Sequence, residues 1–195
     1  MDPVDRAFEA VPRTGFLPRA ARWRAGYDGP ILIGHGQTNS QPRTVADMLR
    51  LLDVHPGHRV LDVGAGSGWT TALLAHLVGP EGLVVGVELE PDLAAWGADN
   101  LARRRAPWAS ITVAEPGVLG RPDGGPYDRI LVSAESDTLP RALVDQLADP
   151  GRMVVPVAGT MLRVDLVDDV VTTSEHGRYR FVPLRLAREG AQGHE

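Results

Sequence analysis

The 195-residue chain is 43% apolar with 25 acidic and 20 basic residues, a net charge of −5; this is enough apolar content to bury a core as one domain, without the basic excess of a general nucleic-acid binder. It contains no cysteine and no lysine, and its six histidines are scattered, which excludes disulfides, thiolate and Schiff-base chemistry and a P-loop lysine, and leaves no metal site to expect. The first residues lack the apolar stretch of a signal peptide and no segment approaches about 20 uninterrupted apolar residues, so a soluble, cytoplasmic protein with neither membrane nor nucleic-acid partners is expected.

Asp2 to Val11 reads as a short helix, with Val4, Ala7, Phe8 and Val11 at helical spacing. Pro12 and Pro18 then break the chain. Tyr27 to Pro42 carries glycines at 29, 34 and 36 and prolines at 30 and 42, which suits neither a regular helix nor a long strand. An irregular segment of this length in a compact domain often serves as a binding loop or lid. From Gln41 onward Val45, Met48, Leu49 and Leu52 recur at helical spacing, which places Ser40 as an N-cap and Pro42 in the first turn.

Pro56-Gly57 ends that helix, and Arg59 to Val63 is the first core strand. It opens the stretch that organises the chain, Val60-Leu-Asp-Val-Gly-Ala-Gly-Ser-Gly68, an apolar run turning through Gly64, Gly66 and Gly68 into a helix from Trp69 to Val78. Strand, tight turn and helix start in this order present backbone N–H groups to a polar or anionic ligand. The alternative is a turn that only lets the helix pack closely on the strand. The dinucleotide fingerprint G-x-G-x-x-G would need its last glycine at Trp69, which disfavours a nicotinamide oxidoreductase.

Leu83 to Glu88 is a second buried strand ending in an acid twenty residues past Gly68, the position at which such folds place a carboxylate for ribose hydroxyls. Glu90 is the fallback, sitting near the start of a helix from Pro91 to Arg104, whose basic Arg103-Arg-Arg105 end complements the helix dipole. Ser110 to Ala114 is a third strand and Pro126 to Ala134 a fourth. Asp128, at the start of the fourth, is expected to accept hydrogen bonds from nearby backbone N–H groups. A helix from Leu139 to Leu147 and a strand from Pro150 to Val157 follow. Alternation then predicts closing antiparallel strands near Met161 to Val167 and Arg178 to Leu186, with a frayed tail from Ala187. The order of elements implies a doubly wound, mostly parallel, Rossmann-like α/β sheet. It forms a single domain: 1–55 with N-terminal helices and a substrate loop, 56–160 as the cofactor-binding core, and 161–195 with the last strands and tail.

Asp62-x-Gly64-x-Gly66-x-Gly68 resembles the first motif of class I S-adenosylmethionine-dependent methyltransferases. Pro30-Ile-Leu-Ile-Gly-His-Gly-Gln-Thr-Asn-Ser-Gln-Pro42 resembles the P-L-P-I-G-H-G-Q-T-I-S-Q-P loop of protein-L-isoaspartate O-methyltransferases, and Pro126 to Val132 and Phe181-Val-Pro-Leu184 resemble further segments of that family. The resemblance spans roughly residues 4 to 184. It implies S-adenosylmethionine as cofactor, S-adenosylhomocysteine as product, and methyl transfer to the free α-carboxylate of isoaspartyl residues in damaged peptides or proteins, whose ester then closes to a succinimide. It places the catalytic position at Ser40, substrate contacts at Ile33, His35 and Ser40, and cofactor contacts at Gln37, Thr38, Ser40, Asp62, Gly64, Ala65, Gly66, Ser67, Gly68, Glu88, Leu89, Glu115 and Gly117, in a monomer. Two departures stand out: Asn39 replaces an apolar residue of the loop, and Pro116 occupies the acidic position near the adenine amine. They keep open a carboxyl methyltransferase dedicated to one peptide, or a non-catalytic cofactor- or peptide-binding homologue.

Overall fold

The computed structural model describes residues 2–187. A hairpin of β1 (Ile31–Gly34) and β2 (Gln37–Asn39) stands apart from a seven-stranded sheet. The sheet contains β3 (Arg59–Val63), β4 (Leu83–Glu88), β5 (Ala109–Val113), β6 (Tyr127–Val132), β7 (Leu147–Val157), β8 (Thr160–Val167) and β9 (Val170–Arg178), in the order β5-β4-β3-β6-β7-β8-β9. From β5 to β7 every neighbour is parallel, and β8 and β9 are antiparallel, the mostly parallel doubly wound sheet with antiparallel C-terminal strands that the order of elements implies. Helices α1 (Pro3–Ala10), α2 (Pro42–Leu52), α3 (Trp69–Val78), α4 (Pro91–Ala102) and the single turn α5 (Arg141–Val144) complete the layers.

Because the central strands are covered on both faces, their side chains divide between two cores. In β3, Val60 joins the core built with α1, α2 and α3, while Leu61 and Val63 join the one built with α5, β6 and β7. The helical stripe Val45, Met48, Leu49 and Leu52 is wholly buried, as its spacing predicts. Asp128 acts as expected: its carboxylate accepts the Arg59 N–H at 2.7 Å and ties the start of β6 to the start of β3. Arg103 caps α4 and donates to Asn100 Oδ1, and it, Arg104 and Arg105 are exposed. No described helix is long and apolar enough to cross a membrane.

Three expectations are corrected. The helix from Leu139 to Leu147 contracts to α5, since the Gln146 carbonyl accepts the Tyr127 N–H and Leu147 pairs with Tyr127, drawing the chain into β7. The last strand is Val170–Arg178 rather than Arg178 to Leu186. Asp168 and Asp169 both take positive φ, 52° and 63°, and both N–H groups donate to the Asp149 carboxylate, giving a two-residue hairpin turn; β9 is largely polar, so apolar alternation does not reveal it. Ser40 is not the cap of α2. Gln41 holds that position without a side-chain cap bond, and Asp28 from the preceding loop accepts the Arg43 N–H at 3.1 Å. The tail beyond Ala187 lies outside the described residues.

Candidate functional site

The chain leaves β3 toward β4 and β5 on one side and leaves β6 toward β7 on the other, so a crevice opens at the carboxyl ends of β3 and β6. The cavity there has about 890 Å³ of empty space, counted together with the solvent at its mouth. Its floor is Gly64 to Ser67, its sides are Glu88 and Leu89 after β4 and Ser133 and Ala134 after β6, and an apolar wall of Ala114, Val118, Leu119 and Gly120 follows β5. Ile33 and Gln37 to Ser40 from the hairpin, and Val182 to Arg185 from the C-terminal segment, close it from above.

The floor turn needs its glycines. Gly64, Gly66 and Gly68 have φ of 84°, 53° and 86°, a region in which a Cβ is strained. At Gly68 a Cβ would also lie 2.9 Å from the Gly97 carbonyl, and at Gly97 one would lie 2.7 Å from the Gly66 carbonyl. Two glycines thus let α4 approach the turn, so close packing and cavity lining are both true of this motif. They fall on different residues: Gly68 packs, while Gly64 and Gly66 line.

Four of the turn's N–H groups are not offered outward as expected. Gly64 and Ala65 donate to the Val87 carbonyl, Gly68 to the Ala65 carbonyl, and Gly66 to Glu88 Oε2 at 2.7 Å. The Glu88 carboxylate, 6% exposed, also accepts the Glu90 N–H through Oε1. An ionised carboxylate offers about four lone-pair positions, so two bonds leave capacity for hydroxyl donors. A floor with four amides spent and a carboxylate at its edge suits a neutral or cationic ligand with hydroxyl groups better than a pyrophosphate, which needs several free N–H donors.

Asp62 sits beneath the turn, fully buried, on the α3 side of β3. Its Oδ2 accepts from Thr70 and Thr71, and its Oδ1 has no partner among the described residues. Burial pushes its carboxyl up to about 6, with the two threonine hydroxyls opposing and the Glu88 charge adding to the rise.

The hairpin side is organised by a residue that motif reading misses. Arg13, 5% exposed, donates to five acceptors: Asn39 Oδ1 at 2.6 Å and the carbonyls of Tyr27, Gly29, Asn39 and Ser40 at 2.8 to 2.9 Å. Its guanidinium also lies 5.5 Å from the centre of the Trp69 ring, a cation–π contact. Burial lowers its pKa to about 10, so it stays charged at neutral pH. The available signal was a lone arginine between Pro12 and Thr14 in an otherwise apolar run.

Of the residues singled out in the sequence, Ile33, Gln37, Thr38, Ser40, Gly64, Ala65, Gly66, Ser67, Glu88 and Leu89 all line the cavity. Asp62 and Gly68 support it from behind. Glu115 and Gly117 are outside the lining: Glu115 is exposed and 3.9 Å from Arg121, and the Gly117 N–H donates to the Ala187 carbonyl. His35 is also outside, at the hairpin tip with φ 51°, beside Glu90 at 3.8 Å and Asp92 at 3.6 Å. The hairpin bends there, so successive side chains point to different sides and Ile33 faces in where His35 does not. The described residues hold no cluster of three or more metal-ligating side chains.

The model of the protein-L-isoaspartate(D-aspartate) O-methyltransferase family matches residues 1–189. The chain is 42% identical over 194 residues to a protein-L-isoaspartate O-methyltransferase of Methanopyrus kandleri, covering 97% of this chain and 85% of that one. It is 40% identical over 189 residues to one of Methanocella arvoryzae, covering 95% and 100%. Among solved structures, a protein-L-isoaspartate O-methyltransferase superposes with a TM-score of 0.83 at 26% identity, covering 96% of this chain and 63% of that longer one. A Plasmodium falciparum structure in complex with S-adenosyl-L-homocysteine superposes with a TM-score of 0.79 at 26% identity, covering 95% and 91%. On the match to nearly its whole length, the chain belongs to the protein-L-isoaspartate(D-aspartate) O-methyltransferase family.

Proposed function

We propose that this protein transfers the methyl group of S-adenosylmethionine to the free α-carboxylate of L-isoaspartyl residues in damaged proteins or peptides. The observation that carries the reading is the floor of the cavity, with the Gly64, Ala65, Gly66 and Gly68 amides spent internally and a buried Glu88 carboxylate at its edge. Glu88 would hold the ribose hydroxyls, Gly64 to Ser67 would run beneath the amino-acid part, and the wall of Ala114, Val118, Leu119 and Gly120 would take the adenine by apolar contact, Pro116 at the family's acidic position lying outside the lining. When bound, the cofactor supplies an electrophilic methyl group on a positively charged sulfur.

The acceptor carboxylate is already ionised at neutral pH, so the chain needs no general base. What its residues contribute is placement and shelter. Ser40 lines the cavity at the end of the hairpin, its carbonyl fixed by Arg13, and its hydroxyl would orient the substrate carboxylate. The hairpin and the Val182 to Arg185 segment exclude water, which favours a step in which opposite charges are consumed. The same reading takes the enzyme as a cytoplasmic monomer, and the lack of cysteines fits a reducing compartment.

The test is release of labelled methanol from an isoaspartyl peptide beside its aspartyl twin. Signal from the first alone is expected, and equal signals would remove the assignment. Ser40→Ala should lower turnover by about tenfold or more while shifting cofactor affinity by less than about threefold. An unchanged rate would leave Ser40 without a catalytic role.

A further inference from the structure

Ser67 is the lining residue of the floor held by side chains from two other elements. Asn39 Nδ2 donates to its hydroxyl at 3.1 Å, and Asn100 Nδ2 on α4 donates to its carbonyl at 3.0 Å. These are the only asparagines in the chain, and all three residues are buried, at 5%, 3% and 2% exposure for Asn39, Asn100 and Ser67. Asn39 is also the residue at which the loop departs from its family's pattern. Its amide bridges two groups no apolar side chain could join, accepting from Arg13 Nε at 2.6 Å through Oδ1 and donating to Ser67 through Nδ2. Arg13 in turn holds the Ser40 carbonyl at 2.9 Å. A continuous chain of hydrogen bonds, buried except at its Ser40 end, therefore runs from the turn carrying Ser40, through Arg13 and Asn39, to the turn forming the cavity floor.

We infer that Asn39 is a positioning residue for methyl transfer, locking the substrate-side turn at Ser40 to the cofactor-side turn at Ser67 so that the two move as one body. Fixing two reacting partners relative to one another lowers the barrier without adding a contact to either. The inference rests on the substrate reading above for its turnover measurement only, since cofactor affinity reads the same link independently.

The experiment compares Asn39→Leu, Asn39→Asp, Ser67→Ala and the Asn39→Leu/Ser67→Ala pair, using S-adenosylhomocysteine calorimetry and methyl-transfer kinetics on an isoaspartyl peptide. Asn39→Leu and Ser67→Ala should each lower kcat by about tenfold and weaken S-adenosylhomocysteine by about threefold, with peptide KM moving less than kcat. The double variant should be no worse than the more impaired single, because both cut one link. Asn39→Asp should recover to within about threefold of the parent, since a carboxylate accepts from both the Arg13 guanidinium and the Ser67 hydroxyl. Independent effects that multiply in the pair, an Asn39→Asp as impaired as Asn39→Leu, or an unaffected Ser67→Ala would each overturn the inference. If Asn39→Leu does not fold, Ser67→Ala against Asn39→Asp still decides, because both keep Arg13 bonded. No peptide methylation by the parent, with coupling in cofactor affinity intact, would sink the substrate assignment and spare this one.

Discussion

The floor and the cover of the cavity are held in place by different means. On the floor, Gly64 to Gly68 continues β3, and its position follows from the parallel register of β3 with β4 and from N–H bonds to Val87, Ala65 and Glu88. Of the cover, the Val182 to Arg185 segment is held by backbone bonds to Glu135, but the hairpin has no such frame. The hairpin pairs with itself in three registered positions, and side chains tie it to the rest: Arg13, reaching forward 14 to 27 residues to four carbonyls and an amide, and Asn39, donating to Ser67 on the floor. The floor is backbone-determined and rigid in kind, whereas the hairpin is determined by side chains and can be released by one substitution.

The comparison breaks most visibly at Asp62, where the floor carries a cost that the cover does not. With its carboxyl pushed up to about 6 by burial, the folded protein keeps a proton between pH 4 and 6 that the unfolded chain has released. The stability from this group is therefore full below pH 4 and is lost as pH rises through 6. A shift of roughly two units corresponds to on the order of 3 kcal/mol by pH 7. Asp62→Asn removes the titration. Measured by thermal unfolding, the variant should gain on the parent from pH 4 to about pH 6 and hold that gain above it, with parallel curves counting against a buried ionised carboxylate beneath the turn.

A glycine pair sharpens the contrast at smaller cost. Gly97→Ala places a Cβ 2.7 Å from the Gly66 carbonyl, and since backbone must move, a loss of about 2 kcal/mol and about tenfold or more in S-adenosylhomocysteine affinity is expected. Gly36 at the hairpin tip has φ 70° with nothing within 4 Å of its Cβ position. Gly36→Ala should cost about 1 kcal/mol of local strain and leave cofactor affinity unchanged. Equal effects on affinity would mean that floor and cover are not separable in the way their bonding suggests.

The same contrast explains what could be read from the sequence. The boundaries of β3, β4 and α3 follow from continuous apolar runs punctuated by glycine and proline, and Glu88 follows from its distance to the turn, so the floor is written locally. The cover is not. Arg13 has no local reason to be buried, and only the folded hairpin supplies its acceptors. Gly97 carried a readable signal as a glycine inside a helix pattern, which usually has a packing reason. Asn39, read as a departure from the family loop, is the residue that joins Arg13 to Ser67. β9 escaped because an edge strand exposed on both faces shows no apolar alternation, and Glu115 and Gly117 were placed by analogy where the chain has Pro116.

The smallest effect tests whether the cover is also secured where it meets α2. Asp28 accepts the Arg43 N–H through Oδ1, and the Gln41 side chain donates to its carbonyl at 3.1 Å, so the loop supplies the capping that Ser40 does not. The Arg43 N–H bond holds the Asp28 carboxyl below its ordinary value, which means the contribution is present at neutral pH and is lost only as pH falls below the usual carboxylate range. Asp28→Ala should lower Tm by about 2 °C at pH 7, with cofactor affinity unmoved because the floor takes nothing from this loop. Asp28→Asn keeps an acceptor oxygen and should recover most of the difference. If both variants instead weaken S-adenosylhomocysteine, the hairpin and the glycine turn are coupled through the start of α2 as well as through Arg13, and the cover is less separable from the floor than its hydrogen bonds imply.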